Sequence, residues 1–120
     1  MSQVTIELIA KTCHEVVRAY CQAVGDTSQL PWDQLEPHQH QHSIYAVKFH
    51  LANPNATPRE IHEEWKRFKV AQGWTWGPIK AEEFKQHPCL VDYDKLPEVQ
   101  KPKDNIFAAV VCSLGPALVE

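Results

Sequence analysis

The sequence predicts a mainly α fold with a short two-stranded β-ribbon, an α+β arrangement in one domain. Three observations carry this. Apolar residues recur at steps of three and four in four separate stretches. Between the third and fourth the period breaks, at Gly73-Trp74-Thr75-Trp76-Gly77-Pro78. Nine prolines against four glycines cut the chain into short elements with sharp stops. A chain of 120 residues, 43% of them hydrophobic, can bury one ordinary core, so a single domain over 1–120 is expected.

The first helix is predicted over 3–24. Ile6, Ile9, Cys13, Val16, Val17, Tyr20 and Val24 form its apolar stripe, and Gly25 ends it, because a left-handed cap favours glycine. A connector over 26–37 carries Trp32 and Leu35 between Pro31 and Pro37, and both are expected to tuck against the core. The second helix is predicted from about 39 to 52, with Ile44, Val47 and Leu51 inward. Asn53-Pro54-Asn55 ends it.

Thr57-Pro58-Arg59-Glu60 is the clearest start signal in the chain. Threonine caps, proline fits the first helical position, and glutamate stands where a capping box needs it. The third helix therefore runs from 58 to about 72, with Ile61, Trp65 and Phe68 on its buried side and Gly73 closing it. Pro78 forbids a helix through the next segment. An extended 74–76 would point Trp74 and Trp76 the same way. Cys89-Leu90-Val91-Asp92-Tyr93 reads as a second extended run, and the two are expected to pair as an antiparallel ribbon. A helical turn is expected between them, over 81–86. The last helix starts near Asp104, turns Ile106, Phe107, Val110, Val111 and Leu114 inward, and stops at Gly115-Pro116.

Net charge is −3 with seven histidines counted as neutral, which argues against bulk nucleic-acid binding. No apolar run approaches the roughly 18 residues needed to span a bilayer, and Met1 to Ala10 has no charged start followed by an apolar stretch. A cytoplasmic protein without a membrane partner is expected. Cys13, Cys21, Cys89 and Cys112 form no Cys-x-x-Cys pair and read as reduced packing thiols. Alternating His38, His40 and His42 invite a metal reading. The tract leads into a helix, where residues two apart diverge, so no metal site is assigned.

Catalysis finds little support: the sequence has no Gly-x-Ser-x-Gly elbow, no Walker loop and no His-Glu-x-x-His, and Cys89, two residues from His87, is not in the geometry of an activated thiol unless the chain bends. No enzyme and no cofactor are expected. The densest chemistry lies around the period break. Trp65, Trp74 and Trp76 offer flat surfaces for a purine, and stacking there is worth about 1–3 kcal/mol per base. His62, Lys66 and Lys69 share a face of the third helix, while Lys80, Lys85 and His87 flank the ribbon, so phosphates could be held nearby. The opposing reading is that these tryptophans are core, the lysines solvated, and His87 an anchor at a strand start.

Four spaced segments resemble a known family. They are Ile61-His62-Glu63-Glu64-Trp65, Gly73-Trp74-Thr75-Trp76-Gly77-Pro78, Lys85-Gln86-His87-Pro88-Cys89-Leu90-Val91-Asp92-Tyr93 and Leu96-Pro97. In this order they resemble the repeat domain of ryanodine receptors, the RyR domain. The segment from Lys101 to Phe107 looks like stand-alone versions from bacteria and their phages. Trp76 stands where that family usually has tyrosine, so any contact of that hydroxyl is lost. Receptor domains carry paired repeats and this chain holds one, so a two-repeat surface would require a second copy or the N-terminal helices.

The resemblance implies a single RyR-repeat-like core over 37–115, with an N-terminal helix and connector over 1–36. It implies a non-enzymatic module that captures a small nucleotide-derived ligand, an adenine nucleotide or an ADP-ribose-like molecule, linear or cyclic. In a phage, such a sponge would sequester a host defence signal, and in a prokaryote it would be a sensor. The expected site is Trp32, His62, Trp65, Lys69, Trp74, Trp76, Lys80, Lys85, His87 and Tyr93. A homodimer or larger homo-oligomer is a possible partner arrangement, and a protein-interaction module using the same aromatic surface is the alternative.

Overall fold

Four helices carry the chain: α1 (Ile6–Ala23), α2 (Pro37–Ala52), α3 (Pro58–Ala71) and α4 (Pro102–Leu114). A two-residue pair of strands, β1 (Thr75–Trp76) and β2 (Gln86–His87), lies between α3 and α4. The computed structural model describes residues 3–118. They form two compact units, one from residues up to Asn55 and from Lys103 onward, the other from Ala56 to Pro102. No described helix is long and apolar enough to cross a membrane.

In the first unit, α1 starts where Thr5 Oγ1 accepts the Leu8 N–H at 3.1 Å. It ends in a left-handed Gly25, φ +93°, with the Asp26 N–H returned to the Cys21 carbonyl at 2.8 Å. The core combines Ile9, Ala10 and Cys13 of α1 with Trp32, Val47 of α2 and Val111 of α4. Each large side chain so buried contributes about 1.5–3 kcal/mol. Val16 and Val24, assigned to the α1 stripe from spacing, are instead exposed, and Ala10 and Cys21 take the buried positions. Burial pushes the Cys13 thiol up to about 12, partly offset by its backbone hydrogen bond, so it is an inert packing group.

α2 begins two residues earlier than its apolar pattern predicts. Pro37 takes the first helical position, and Gln39 Oε1 accepts the Glu36 N–H at 2.9 Å. The histidine tract thus lies within α2. His40 stacks on Trp32 with ring centroids 4.1 Å apart, and its Nε2–H donates to the Trp32 carbonyl at 2.7 Å. Glu15 accepts the Trp32 N–H at 3.0 Å. Pinned on both sides, the Trp32 indole is buried.

His50 and Asp104 of this unit, like Cys13, are shifted by burial. His50 is buried beside Phe107, 5.1 Å between centroids, with its Nε2 unpaired, and burial lowers its pKa. Asp104, in the first turn of α4, is half-buried. Desolvation raises its pKa to about 7, against a smaller opposing pull from Lys103.

In the second unit, α3 carries the predicted capping box. Thr57 Oγ1 accepts the Glu60 N–H at 3.2 Å and Glu60 Oε1 accepts the Thr57 N–H at 3.0 Å. α3 ends at Ala71 and α4 begins at Pro102, each within two residues of expectation. The ribbon differs from expectation in both partner and direction. β1 pairs with Gln86–His87, not with residues 89–93, and the pairing is parallel. The cause is a tight return path: Ala81 bridges Gln86 in the antiparallel sense, a 3-10 turn over Glu82–Phe84 follows, and Lys85 reverses the chain in a left-handed conformation, φ 51°. Residues beyond His87 then leave through Pro88 to a second 3-10 turn, Tyr93–Lys95.

Asp104 yields a signed expectation. Its folded-state pKa lies above the unfolded value of 3.8, so the folded state holds a proton that the unfolded state releases as pH rises from about 4 to about 7. Stability is lost over that window and stays lost above it. Asp104→Asn should therefore be more stable than the parent at pH 8, by about 1 kcal/mol or more, and lose that advantage at pH 4. Urea unfolding of both proteins across this range measures the difference, in which other titrating groups cancel.

Candidate functional site

The turn after α3 sorts the two ribbon tryptophans. Gly73 adopts φ +91°, its N–H returning to the Val70 carbonyl at 2.9 Å and the Trp74 N–H to the Lys69 carbonyl at 3.0 Å. This pair of bonds closes the helix and folds residue 74 back over its last turn. Trp74 is 5% exposed, with Lys69 Nζ 4.4 Å from its ring centroid. Trp76, in β1, is 56% exposed. The expectation that both face one side is corrected: Trp74 precedes the strand and belongs to the helix cap.

Beside the ribbon, five rings gather. His62 is buried, and its Nε2–H donates to the Val91 carbonyl at 2.7 Å. It stacks on Trp65 at 5.6 Å and lies 6.0 Å from Tyr93. His87 meets Trp65 edge-on at 5.1 Å and Trp74 at 6.4 Å. Its Nδ1 accepts the Cys89 N–H at 3.0 Å, which places the ring proton on Nε2. So His87 anchors to backbone, as a structural reading would have it, through an N–H rather than a carbonyl. Trp65 is half-buried in this group.

The basic residues separate by use. Lys85 Nζ donates to the Gln72 carbonyl at 3.0 Å, beyond the last turn of α3, and its own carbonyl accepts the Thr75 N–H at 2.9 Å. Lys66 pairs with Asp92 at 2.8 Å and Glu63 at 3.0 Å, which raises its pKa, the Asp92 bond contributing most. Arg59 pairs with Asp94 at 2.6 Å and lies 5.2 Å over the Tyr93 ring, while Lys101 Nζ lies 5.5 Å from the same ring. Tyr93 is thus a half-buried seat for two cations. Lys69 is half-buried, and its pKa is lowered, first by burial. Lys80 is exposed.

Nine of the ten expected site residues fall in the second unit. Trp32 belongs to the core of the first, where His40 covers it. Of the nine, Trp76, Lys80 and Lys85 face solvent, Trp74 and His62 are buried, and Trp65, Lys69, His87 and Tyr93 are half-buried. Sequence reasoning missed Ile79 and Phe84, which are 75% and 70% exposed beside Trp76 in the chain. Three large apolar side chains in water within nine residues are unusual, and their signal was an Ile and a Phe in a stretch otherwise rich in charge.

Residues 50–112 of this 120-residue chain match the RyR domain family. The chain belongs to that family. The match takes in the end of α2, all of the second unit and α4 as far as Cys112. Two glycines of this RyR domain have physical reasons. Gly73 supplies the positive φ that turns Trp74 inward. Gly77 has another: a Cβ there would lie 2.7 Å from both Cβ and Oε1 of Gln86, closer than atoms can pack.

This geometry sets the stability of three variants. Gly77→Ala should destabilise the fold by about 1–3 kcal/mol, because the clash is with Gln86 near its backbone. Trp74→Ala should cost about 3–5 kcal/mol as a buried indole, while Trp76→Ala should stay within about 0.5 kcal/mol of the parent. Urea unfolding checks all three values. Equal losses at Trp74 and Trp76 would contradict the inward and outward assignment.

Proposed function

We propose that this RyR domain is a non-enzymatic binding module for a small nucleotide-derived ligand, an adenine nucleotide or ADP-ribose-like molecule, linear or cyclic. The observation that carries the reading is the Trp76 indole, 56% exposed on the ribbon, with Lys80 and Lys85 in the same surface loop. A base stacks on an indole for about 1–3 kcal/mol, and the Lys80 ammonium supplies a phosphate contact, Lys85 being held by the Gln72 carbonyl. Placed in the cytoplasm, such a module senses a nucleotide signal or, in a phage, depletes one used in host defence.

A protein-interaction role draws support from Ile79 and Phe84, which are exposed apolar side chains of the same stretch of chain. Size argues against it. Each exposed side chain presents on the order of 100 Å², so the three together give about 300–400 Å². One side of a stable protein interface needs about 800 Å². The patch suits a small flat molecule better than a folded partner.

Titration calorimetry with AMP, ADP, ADP-ribose and cyclic ADP-ribose tests the proposal. At least one should bind, be recovered chemically intact, and lose about 1–3 kcal/mol of affinity in Trp76→Ala while the melting temperature holds. Binding that is indifferent to Trp76 would remove the stacking platform. A ligand recovered cleaved would make the protein an enzyme.

A further inference from the structure

Lys69 differs from the paired cations of the second unit in its partner, and from Lys80 and Lys95, which are exposed, in being half-buried. Arg59, Lys66, Arg67 and Lys101 are each held by carboxylates, and Lys85 is held by the Gln72 carbonyl. Lys69 stands in the last turn of α3, where the helix end favours a cation. Yet the carbonyl beyond that turn is taken by Lys85, and Lys69 Nζ rests instead on the face of Trp74, 4.4 Å from its centroid. No carboxylate of the described residues lies within ion-pair distance of it. Two charges act from farther out, Glu82 favouring its protonated form and Lys80 opposing it. Burial is the largest influence and also opposes the charge.

A half-buried ammonium on an aromatic face, short of a counter-charge and repelled by a second lysine, gains most from an anion carrying more than one charge. Glu82 offsets part of the local charge. It leaves Lys69 and Lys80 together in excess over it.

We infer that Lys69 is the group that reads the charge of the ligand: its ammonium, seated on Trp74 and joined by Lys80, takes a phosphate. The inference rests on the ligand-binding reading above and deepens it by naming the side chain that makes the ligand's phosphate a condition of binding. Lys85 is a positioning residue that ties the ribbon to the end of α3.

The test uses two probes on the full chain. Inorganic pyrophosphate is titrated while the Lys69 Nζ resonance is followed by nuclear magnetic resonance, and AMP is compared with adenosine by calorimetry in the parent, Lys69→Met and Lys69→Arg. The Nζ resonance should move and saturate. AMP should bind the parent about tenfold or more tighter than adenosine. That preference should collapse in Lys69→Met and persist in Lys69→Arg. An unmoved Nζ resonance, or a Lys69→Met protein that keeps the preference for AMP, overturns the inference. Should Lys69→Met fail to fold, the Nζ titration of the parent decides alone. A moved Nζ with no binding of either adenine compound upholds the anion site and counts against the nucleotide reading. Equal binding of AMP and adenosine to the parent removes the anion site and leaves a base-stacking site.

Discussion

At Gly73 the backbone turns left-handed, and the layout of the second unit from there to β2 depends on that turn. The two hydrogen bonds it permits close α3 and bring residue 74 back over the last helical turn. The chain then has only Thr75 and Trp76 to run as strand before Gly77 and Pro78 break it. One indole is therefore consumed as the packing lid of a helix end and the other is left in water. A side chain at residue 73 would resist the positive φ and loosen this division, because left-handed conformations carry a cost for any residue with a Cβ.

Lys85 completes the same closure from the far side. It too is left-handed, the one non-glycine residue so among those described. Its side chain bonds to the Gln72 carbonyl, its carbonyl to the Thr75 N–H, and its aliphatic chain lies about a van der Waals distance from where a Gly73 Cβ would be. Strain in the backbone at residue 85 is thus offset by two bonds to the segment that the Gly73 turn delivers. The parallel register of β1 and β2 is a product of this knot, since two-residue strands are too short to select a direction by their own hydrogen bonds.

Features fixed within four or five residues were legible in the sequence. The Thr57–Glu60 box, the Gly25 and Gly73 stops and the break at Pro78 all act locally, and each stands where spacing places it. The pairing of the ribbon was not legible, because it depends on Lys85 taking a conformation that glycine or asparagine would ordinarily signal. The start of α2 was missed because a histidine and glutamine run hides its register, although the Glu36-Pro37-x-Gln39 spacing carried a partial cap signal. In the site, aromatic identity was readable and exposure was not. Trp74 and Trp76 differ by two positions and by one hydrogen bond, and no periodicity distinguishes them. Trp32 shows the same limit: Glu15 and His40, distant in sequence, bind its backbone and cover its ring.

Charge placement sharpens the functional argument. On the outer face of α3 and the turn over Tyr93–Lys95, cations and carboxylates alternate and meet: Arg59 with Asp94, Lys66 with Glu63 and Asp92, Arg67 with Glu64. Such exposed pairs contribute little to stability, about 0–1 kcal/mol each. Their effect is on the field. They offset positive charge along a helix on which a nucleic-acid backbone would need a continuous basic track. Lys69, Lys80 and Lys85 sit apart from these pairs at the ribbon end, and one of them is already bonded to a carbonyl. Under the function proposed above, a positive region that small, in a chain of net charge −3, would discriminate by size, favouring a single phosphorylated small molecule over anything longer.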